Sequence, residues 1–194
     1  MGQSRGPEFT TARRSQLFDQ LLDLVLVEGF ANLTLDDLVS RLRCSKSTLY
    51  ALAGSKEQLV TAVTVHFFRR ATDDVEKSVA GVVGARQRIA AYLAAVETAL
   101  AAASERFMAD LEAFPPTRAV YETNTRIAAD RVQQLIRDGV RSGEFRKVHA
   151  AFAADLAATM MARIQQGAVR ANTGLDDARA YRELAAILTA GISA

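Results

Sequence analysis

An all-α fold of about nine helices follows from three observations. Breakers are scarce, with 3 prolines and 11 glycines in 194 residues. Leu, Ala, Val, Arg and Glu recur throughout and build long segments that favour helix. Apolar residues return at i, i+4, i+7 and i+8 rather than at random, which is the stripe by which a helix buries one face. With 49% apolar and 24% charged residues, the chain has the material for one compact domain or for two small ones sharing a core.

Composition also narrows the function classes. No uncharged apolar run reaches the ~18 residues of a membrane span. The N-terminus does not join a cationic stretch to an apolar one as a signal peptide would, so a cytoplasmic protein is expected. The single cysteine, Cys44, has no intrachain partner and suits a small buried hydrophobe in a reducing compartment. Net charge is only +2, so binding to nucleic acid requires a local concentration of Arg and Lys.

Residues 1–9, MGQSRGPEF, lack periodicity and are expected to form a flexible arm. From Thr10 onward Leu17, Leu21, Leu24 and Val25 form the stripe of a first helix, which Gly29 should end as its C′ residue. Arg13 and Arg14 stand near its start, where the helix dipole disfavours cations unless an anion such as phosphate lies close. The plainer reading is a pair of solvated arginines.

Residues 34–56 carry the densest signals. Thr34 is a candidate N-cap with Asp36 and Asp37 in the following turn, and Leu35, Leu38, Val39 and Leu42 supply one buried face. After a turn at Arg43 and Cys44, Ser45 can cap a short helix holding Lys46, Ser47, Thr48, Leu49 and Tyr50. Only Leu49 in that helix is a strong core residue. The segment is therefore a poor structural element by itself but a good reading surface, since Lys, Ser, Thr and Tyr can serve phosphates or base edges. Ser55-Lys56-Glu57-Gln58 then reads as a capping box opening a long helix to about Val79, with Lys56 near exposed N–H groups that could receive a phosphate.

These residues resemble the N-terminal signature of the TetR-type transcriptional regulators. The matching residues are Gly29-Phe30, Thr34, Ser45-Lys46-Ser47-Thr48-Leu49-Tyr50 and Ser55-Lys56-Glu57-Gln58-Leu59, in the same order and spacing. The chain departs from the pattern at Arg43, where the turn usually has Gly, and at Leu52-Ala53, where His-Phe usually follows the Tyr. The resemblance implies a DNA-binding head of three helices at 10–54, a connecting helix at 55–80, and a helical ligand-binding and dimerisation domain at 81–194. It also implies that Thr34, Ser45, Lys46, Ser47, Thr48, Tyr50 and Lys56 face a DNA operator, to which Arg43 could add a phosphate contact the family usually lacks and Arg13 and Arg14 a phosphate contact from the start of the first helix.

Beyond residue 84 the composition turns alanine-rich. Residues 87–103 place Ile89, Leu93, Val96 and Leu100 on one stripe, and Ser104 leads into a helix over 105–114 that Pro115-Pro116 stops. Residues 117–142 form a long pattern with Val120, Ile127, Val132, Leu135, Ile136 and Val140 inward, closed by Gly143. Two last helices are expected at 149–172 and 176–192. They carry Phe152, Leu156, Met160, Met161 and Ile164, and Tyr181, Leu184, Ile187 and Leu188, more apolar surface than one subunit's core needs. A short reading helix contacts few base pairs, so a second half-site about 34 to 36 Å away is required, and a homodimer through these last two helices would supply it.

Catalytic chemistry is poorly supplied. His66 and His149 are the only histidines, and no nucleophile elbow, phosphate loop or metal-ligand pattern occurs, so no enzyme, metal or cofactor is expected. Candidates for a small, largely apolar effector are Tyr92, Phe107, Met108, Leu111, Phe114, Tyr121, Met160 and Met161, which suit such a ligand as a group although plain core packing is the favoured reading of each one singly. Arg126, Arg163 and Gln165 could orient a polar end. The sequence therefore reads as a DNA-binding regulator, by family habit a repressor, released from a near-palindromic operator by a small molecule. A helical ligand-binding or adaptor protein with a degenerate head is the alternative.

Overall fold

The computed structural model describes residues 7–193, with side chains from Arg13 onward. Ten helices follow one another: α1 (Pro7–Glu28), α2 (Leu35–Arg41), α3 (Lys46–Tyr50), α4 (Lys56–Val79), α5 (Ala85–Leu100), α6 (Glu105–Ala113), α7 (Pro115–Ser142), α8 (Ala150–Gln165), α9 (Ala168–Thr173) and α10 (Asp177–Ile192). Among the described residues the one extended pairing is a single bridge between Phe145 and Ser193. No helix there is long and apolar enough to cross a membrane.

Four local differences from expectation have physical causes. The helix expected over 149–172 breaks at Gly167, whose φ of 71° is left-handed, and so becomes α8 and α9. Of the arm expected at 1–9, residues 1–6 lie outside the described ones and Pro7–Phe9 already belong to α1, because a proline loses nothing at the first helical position. Pro115 and Pro116 both end α6 and open α7 for the same reason. Ile127, expected inward on α7, is 51% exposed because it borders an open groove between α4 and α7 rather than a packed core.

Two apolar cores hold the helices together. The first gathers Leu21, Val25 and Phe30 of the α1 region, Leu38, Leu49, the Leu59 to Phe68 half of α4, and Phe107, Leu111 and Tyr121. The second gathers Val75 and Val79 with Ile89, Leu93, Ile136, Ala157, Ile164, Tyr181 and Leu188 from α4, α5, α7, α8 and α10. Helix α4 crosses from one to the other. Helix α6, distant in sequence from α1, packs against it and carries Phe107 into the first core edge-on to Phe30 and Phe67, at centroid distances of 6.1 and 5.7 Å.

Candidate nucleic-acid interface and inner chamber

Short side chains fix the backbone of the candidate reading surface. Thr34 Oγ1 accepts from the Asp37 N–H at 3.1 Å, and Asp37 Oδ2 accepts from the Thr34 N–H at 2.8 Å, a closed capping box. The Thr34 hydroxyl also donates to Asp37 Oδ2 at 2.6 Å, and this bond, with the one from the Thr34 N–H, holds the Asp37 carboxyl below its usual range. Ser45 Oγ accepts from the Thr48 N–H at 3.1 Å and shares hydroxyl contacts with Ser47 at 2.8 Å and Thr48 at 2.7 Å. Ser55 Oγ accepts from Gln58 N–H at 3.2 Å, while Gln58 Oε1 turns to the Gly54 N–H at 3.0 Å; the box expected there is closed one residue early.

Between α2 and α3, Arg43 has a φ of 49°, the only non-glycine residue with positive φ among those described. The turn therefore has the left-handed geometry that glycine adopts most easily, and Arg43 holds it at a steric penalty of about 1–2 kcal/mol. Cys44 packs half-buried against the first core, and burial pushes its thiol up. Leu52 and Ala53, the second departure, are also half-buried against that core and close the joint between α3 and α4.

The resulting face is polar and open. Lys46, Ser47 and Tyr50 are exposed, Thr48 is half-buried, and Leu49 anchors the helix at 2% exposure. Arg13, Arg14 and Arg43 are exposed as well, and with α1 starting at Pro7 both α1 arginines lie beyond the first turn, outside the reach of its dipole. The remaining cations are occupied. Lys46 Nζ pairs with Asp36 Oδ1 at 2.6 Å, which pushes the ammonium above its ordinary value, Arg41 pairs with Glu28, and Lys56 Nζ donates to the Ala31 carbonyl at 3.0 Å.

Besides α4 and the packing of α6, a hydrogen-bonded loop after α1 ties the head to the rest of the chain. Asp110 of α6 accepts from the Phe30 and Ala31 N–H groups at 2.6 and 2.8 Å, capping the exit of α1 across some 80 residues of sequence. Gly29 has a φ of 75°, and a Cβ there would collide with Asp110 and Arg106, so both conformation and close approach require glycine. Lys56 grips the same loop from α4. Nothing local in the sequence marks Asp110 for this task.

A small enclosed chamber of about 60 Å³ lies between α4, α5, α7 and α8, walled by Phe68, Val75, Tyr92, Val96, Tyr121, Ala158 and Met161. Several of the polar groups around it are paired. Arg131 donates to both Glu76 carboxylate oxygens at 2.7 and 2.8 Å, Tyr121 OH donates to Gln165 Oε1 at 2.7 Å, and Gln165 Nε2 donates to Tyr181 OH at 2.9 Å. Burial pushes the phenols of Tyr92 and Tyr121 up to about 12. The chamber adjoins an open groove of about 620 Å³ on the α4–α7 face, the two sharing Phe68, Thr72, Asn124 and Ile127.

The effector candidates do not converge. Tyr92, Tyr121 and Met161 line the chamber together with Gln165. Phe107 and Leu111 are fully buried in the first core, Phe114 and Met108 border separate clefts, and Met160 packs half-buried on the second core. Arg126 and Arg163 are exposed and lie off the chamber. The structure adds Glu76, Arg131, Thr72 and Asn124, whose charged and amide types resemble any exposed helix face in sequence.

Residues 18–63 match the family model described as "Bacterial regulatory proteins, tetR family". No curated protein sequence matches the chain. Among solved structures, a regulator from Saccharomonospora viridis in complex with choline superposes with a TM-score of 0.79 at 16% identity, covering 95% of this chain and 99% of that one. A TetR regulator from Haloarcula marismortui gives 0.79 at 13% identity, covering 95% and 100%. The regulator FadR from Bacillus subtilis, in complex with stearoyl-CoA, gives 0.74 at 13% identity, covering 92% and 98%. At these identities the likeness is one of fold, over nearly the whole length of both chains.

Proposed function

From the premise that this chain belongs to the tetR family of bacterial regulatory proteins and is a DNA-binding transcriptional regulator, we propose that it is a repressor. It binds a near-palindromic operator as a homodimer and leaves it when a small, largely apolar molecule occupies the inner chamber. The observation that carries this reading is the exposed Lys46, Ser47 and Tyr50 face, held by the Thr34 and Ser45 caps and backed by Leu49. Arg13, Arg14 and Arg43 would serve the flanking phosphates, and Thr48 and Lys56 the edge of the same face. Thr34 and Ser45 act chiefly by fixing the two helix starts.

Dimerisation is supported by apolar side chains left open on α8 and α10. Phe152 and Ile187 are each 69% exposed and Leu156 is 53% exposed, in a soluble-type helix pair that otherwise buries its leucines. A two-fold contact through these helices would cover them and place two reading helices on one DNA face.

The chamber supports the effector half of the proposal. At about 60 Å³ it is far below the roughly 300–1,000 Å³ of a loaded ligand site, so an effector must spread its walls or extend into the adjoining groove. One of those walls is α4, whose other half is built into the head core. Relatives of the same fold hold choline and stearoyl-CoA, which supports a ligand in this body without selecting one.

Selection of random duplexes over the protein tests the reading. A two-fold motif should emerge, and Lys46→Ala and Tyr50→Ala should abolish its retention in a gel shift while the protein stays folded and dimeric. Recovery of no motif at low salt would sink the proposal and favour a helical ligand-binding protein with an inactive head.

A further inference from the structure

Charge on the reading face is more restrained than its residue types imply. Within residues 34–56 the cations are Arg41, Arg43, Lys46 and Lys56. Glu28 holds Arg41, Asp36 holds Lys46, and the Ala31 carbonyl holds Lys56, so only Arg43 lacks a partner among the described residues. The Asp36 pair is the one that sits at the reading helix itself.

Both ends of that pair are rigidly placed. Asp36 stands two residues after the Thr34 cap and Lys46 directly after the Ser45 cap, so the two helix starts are locked and the side chains meet across them at 2.6 Å. Both side chains are largely exposed, at 61% and 71%. An exposed pair of this kind contributes little to folding. Its consequence is for what Lys46 can touch. An ammonium has three N–H donors; with one committed to Asp36, the other two point away from it, and the flexible four-carbon stem is no longer free to sweep toward the phosphates.

We infer that Asp36 is a specificity-determining residue of the DNA-binding face, a positioning carboxylate that holds Lys46 for a base edge and keeps it from neutralising phosphates at arbitrary sequence. The inference rests on the DNA-binding reading above. In the docked complex Lys46 stays paired and offers its two remaining donors to acceptors such as guanine O6 and N7 in the major groove. In a loose, sequence-independent complex the pair is electrically neutral and adds nothing to the counterion release that drives such binding. Asp36 thus lowers background affinity and leaves the matched site favoured.

The test measures wild type, Asp36→Asn, Lys46→Ala and the double variant against a random-sequence duplex and against the duplex recovered by selection, at several salt concentrations. Asp36→Asn should tighten random-duplex binding and raise its log–log salt slope by about 0.9, the increment for one further phosphate, so that affinity falls about threefold more between roughly 50 and 200 mM salt. Binding to the selected duplex should not gain in proportion, so the ratio of the two affinities falls. In the Lys46→Ala background the gain should vanish. A slope unchanged by Asp36→Asn overturns the inference, and so does a gain that persists without Lys46, which would mean plain repulsion between Asp36 and DNA. Either result leaves the DNA-binding reading standing, whereas a wild type that binds neither duplex removes that reading first. Circular dichroism on each variant separates these outcomes from loss of the helical fold, since neither side chain takes part in a cap.

Discussion

The two halves of α4 live in different surroundings. Leu59, Val60, Val63, Phe67 and Phe68 are buried in the core that holds the reading helices, whereas Val75 and Val79 belong to the core of the body. Between them run Arg69, Arg70, Ala71, Thr72, Asp73 and Asp74, with no large apolar residue, and there Ala71 and Thr72 border the chamber. The helix is thus anchored at both ends and least anchored where a ligand would press on it. On the proposed effector mechanism, a displacement at its middle would be carried to the head through one half of the same helix, because close-packed cores transmit strain.

This contrast is broken most severely at Phe107, which belongs to the body by sequence and to the head core by packing. It is fully buried between Phe30 and Phe67. Phe107→Ala should cost about 3–5 kcal/mol from lost burial and the cavity left behind. In hydrogen exchange, protection should fall first in α1 to α3 and the first half of α4, with α8 and α10 retained. Leu93→Ala, at an equally buried site in the body core, should show the reverse order at about 2–5 kcal/mol. Equal loss in both regions for both variants would show a single cooperative core and remove the distinction drawn here.

A smaller effect is expected at the fastening between the halves. Asp110→Ala leaves the Phe30 and Ala31 N–H groups without their acceptor and should cost about 1–3 kcal/mol in chemical denaturation. Because the chamber lies elsewhere, the body core should keep its protection while the loop after α1 loses its own. Asp110→Asn, which retains one acceptor oxygen, should fall between that variant and wild type. If Asp110→Ala melts like wild type, the loop is held by Lys56 and packing alone.

These long-range ties mark where the sequence stops being legible. The caps at Thr34, Ser45 and Ser55 are readable because in each a side-chain oxygen accepts from the N–H three residues further on, a pattern any short window contains. The stripes of α4, α5 and α10 are readable for the same reason. Asp110 is not, because its partners lie some 80 residues away and an acidic residue on an amphipathic helix ordinarily faces water. Glu76 with Arg131 and Lys46 with Asp36 are hidden in the same way, as ordinary surface charges until the fold pairs them. Aromatic content is a weak guide to the chamber, since Phe107 and Tyr121 have similar credentials in sequence and share one core, yet only Tyr121 also lines the cavity. Ile127 and Phe152 show the converse, as apolar residues whose exposure belongs to a groove and an open helix face rather than to the core of this chain.

The smallest predicted effect separates stability from binding at a single residue. Arg43 holds the left-handed turn between α2 and α3 at a penalty of about 1–2 kcal/mol. Arg43→Gly removes that penalty but adds freedom to the unfolded chain, worth about 0.5–1 kcal/mol in the opposite direction. The steric gain is the larger, so the variant should be more stable by about 0.5–1 kcal/mol, a rise in Tm of a few degrees read by thermal melting. Arg43 is also an exposed cation next to the reading helix, with no ion-pair partner among the described residues. The same variant should therefore bind the selected duplex more weakly, with a salt slope lower by about 0.9. A more stable protein that binds DNA less well would show that arginine is kept in this turn for its charge, against its backbone preference. A variant that loses stability would place the residue's worth in packing of its stem instead, and one that gains stability with an unchanged slope would take Arg43 off the DNA-binding face.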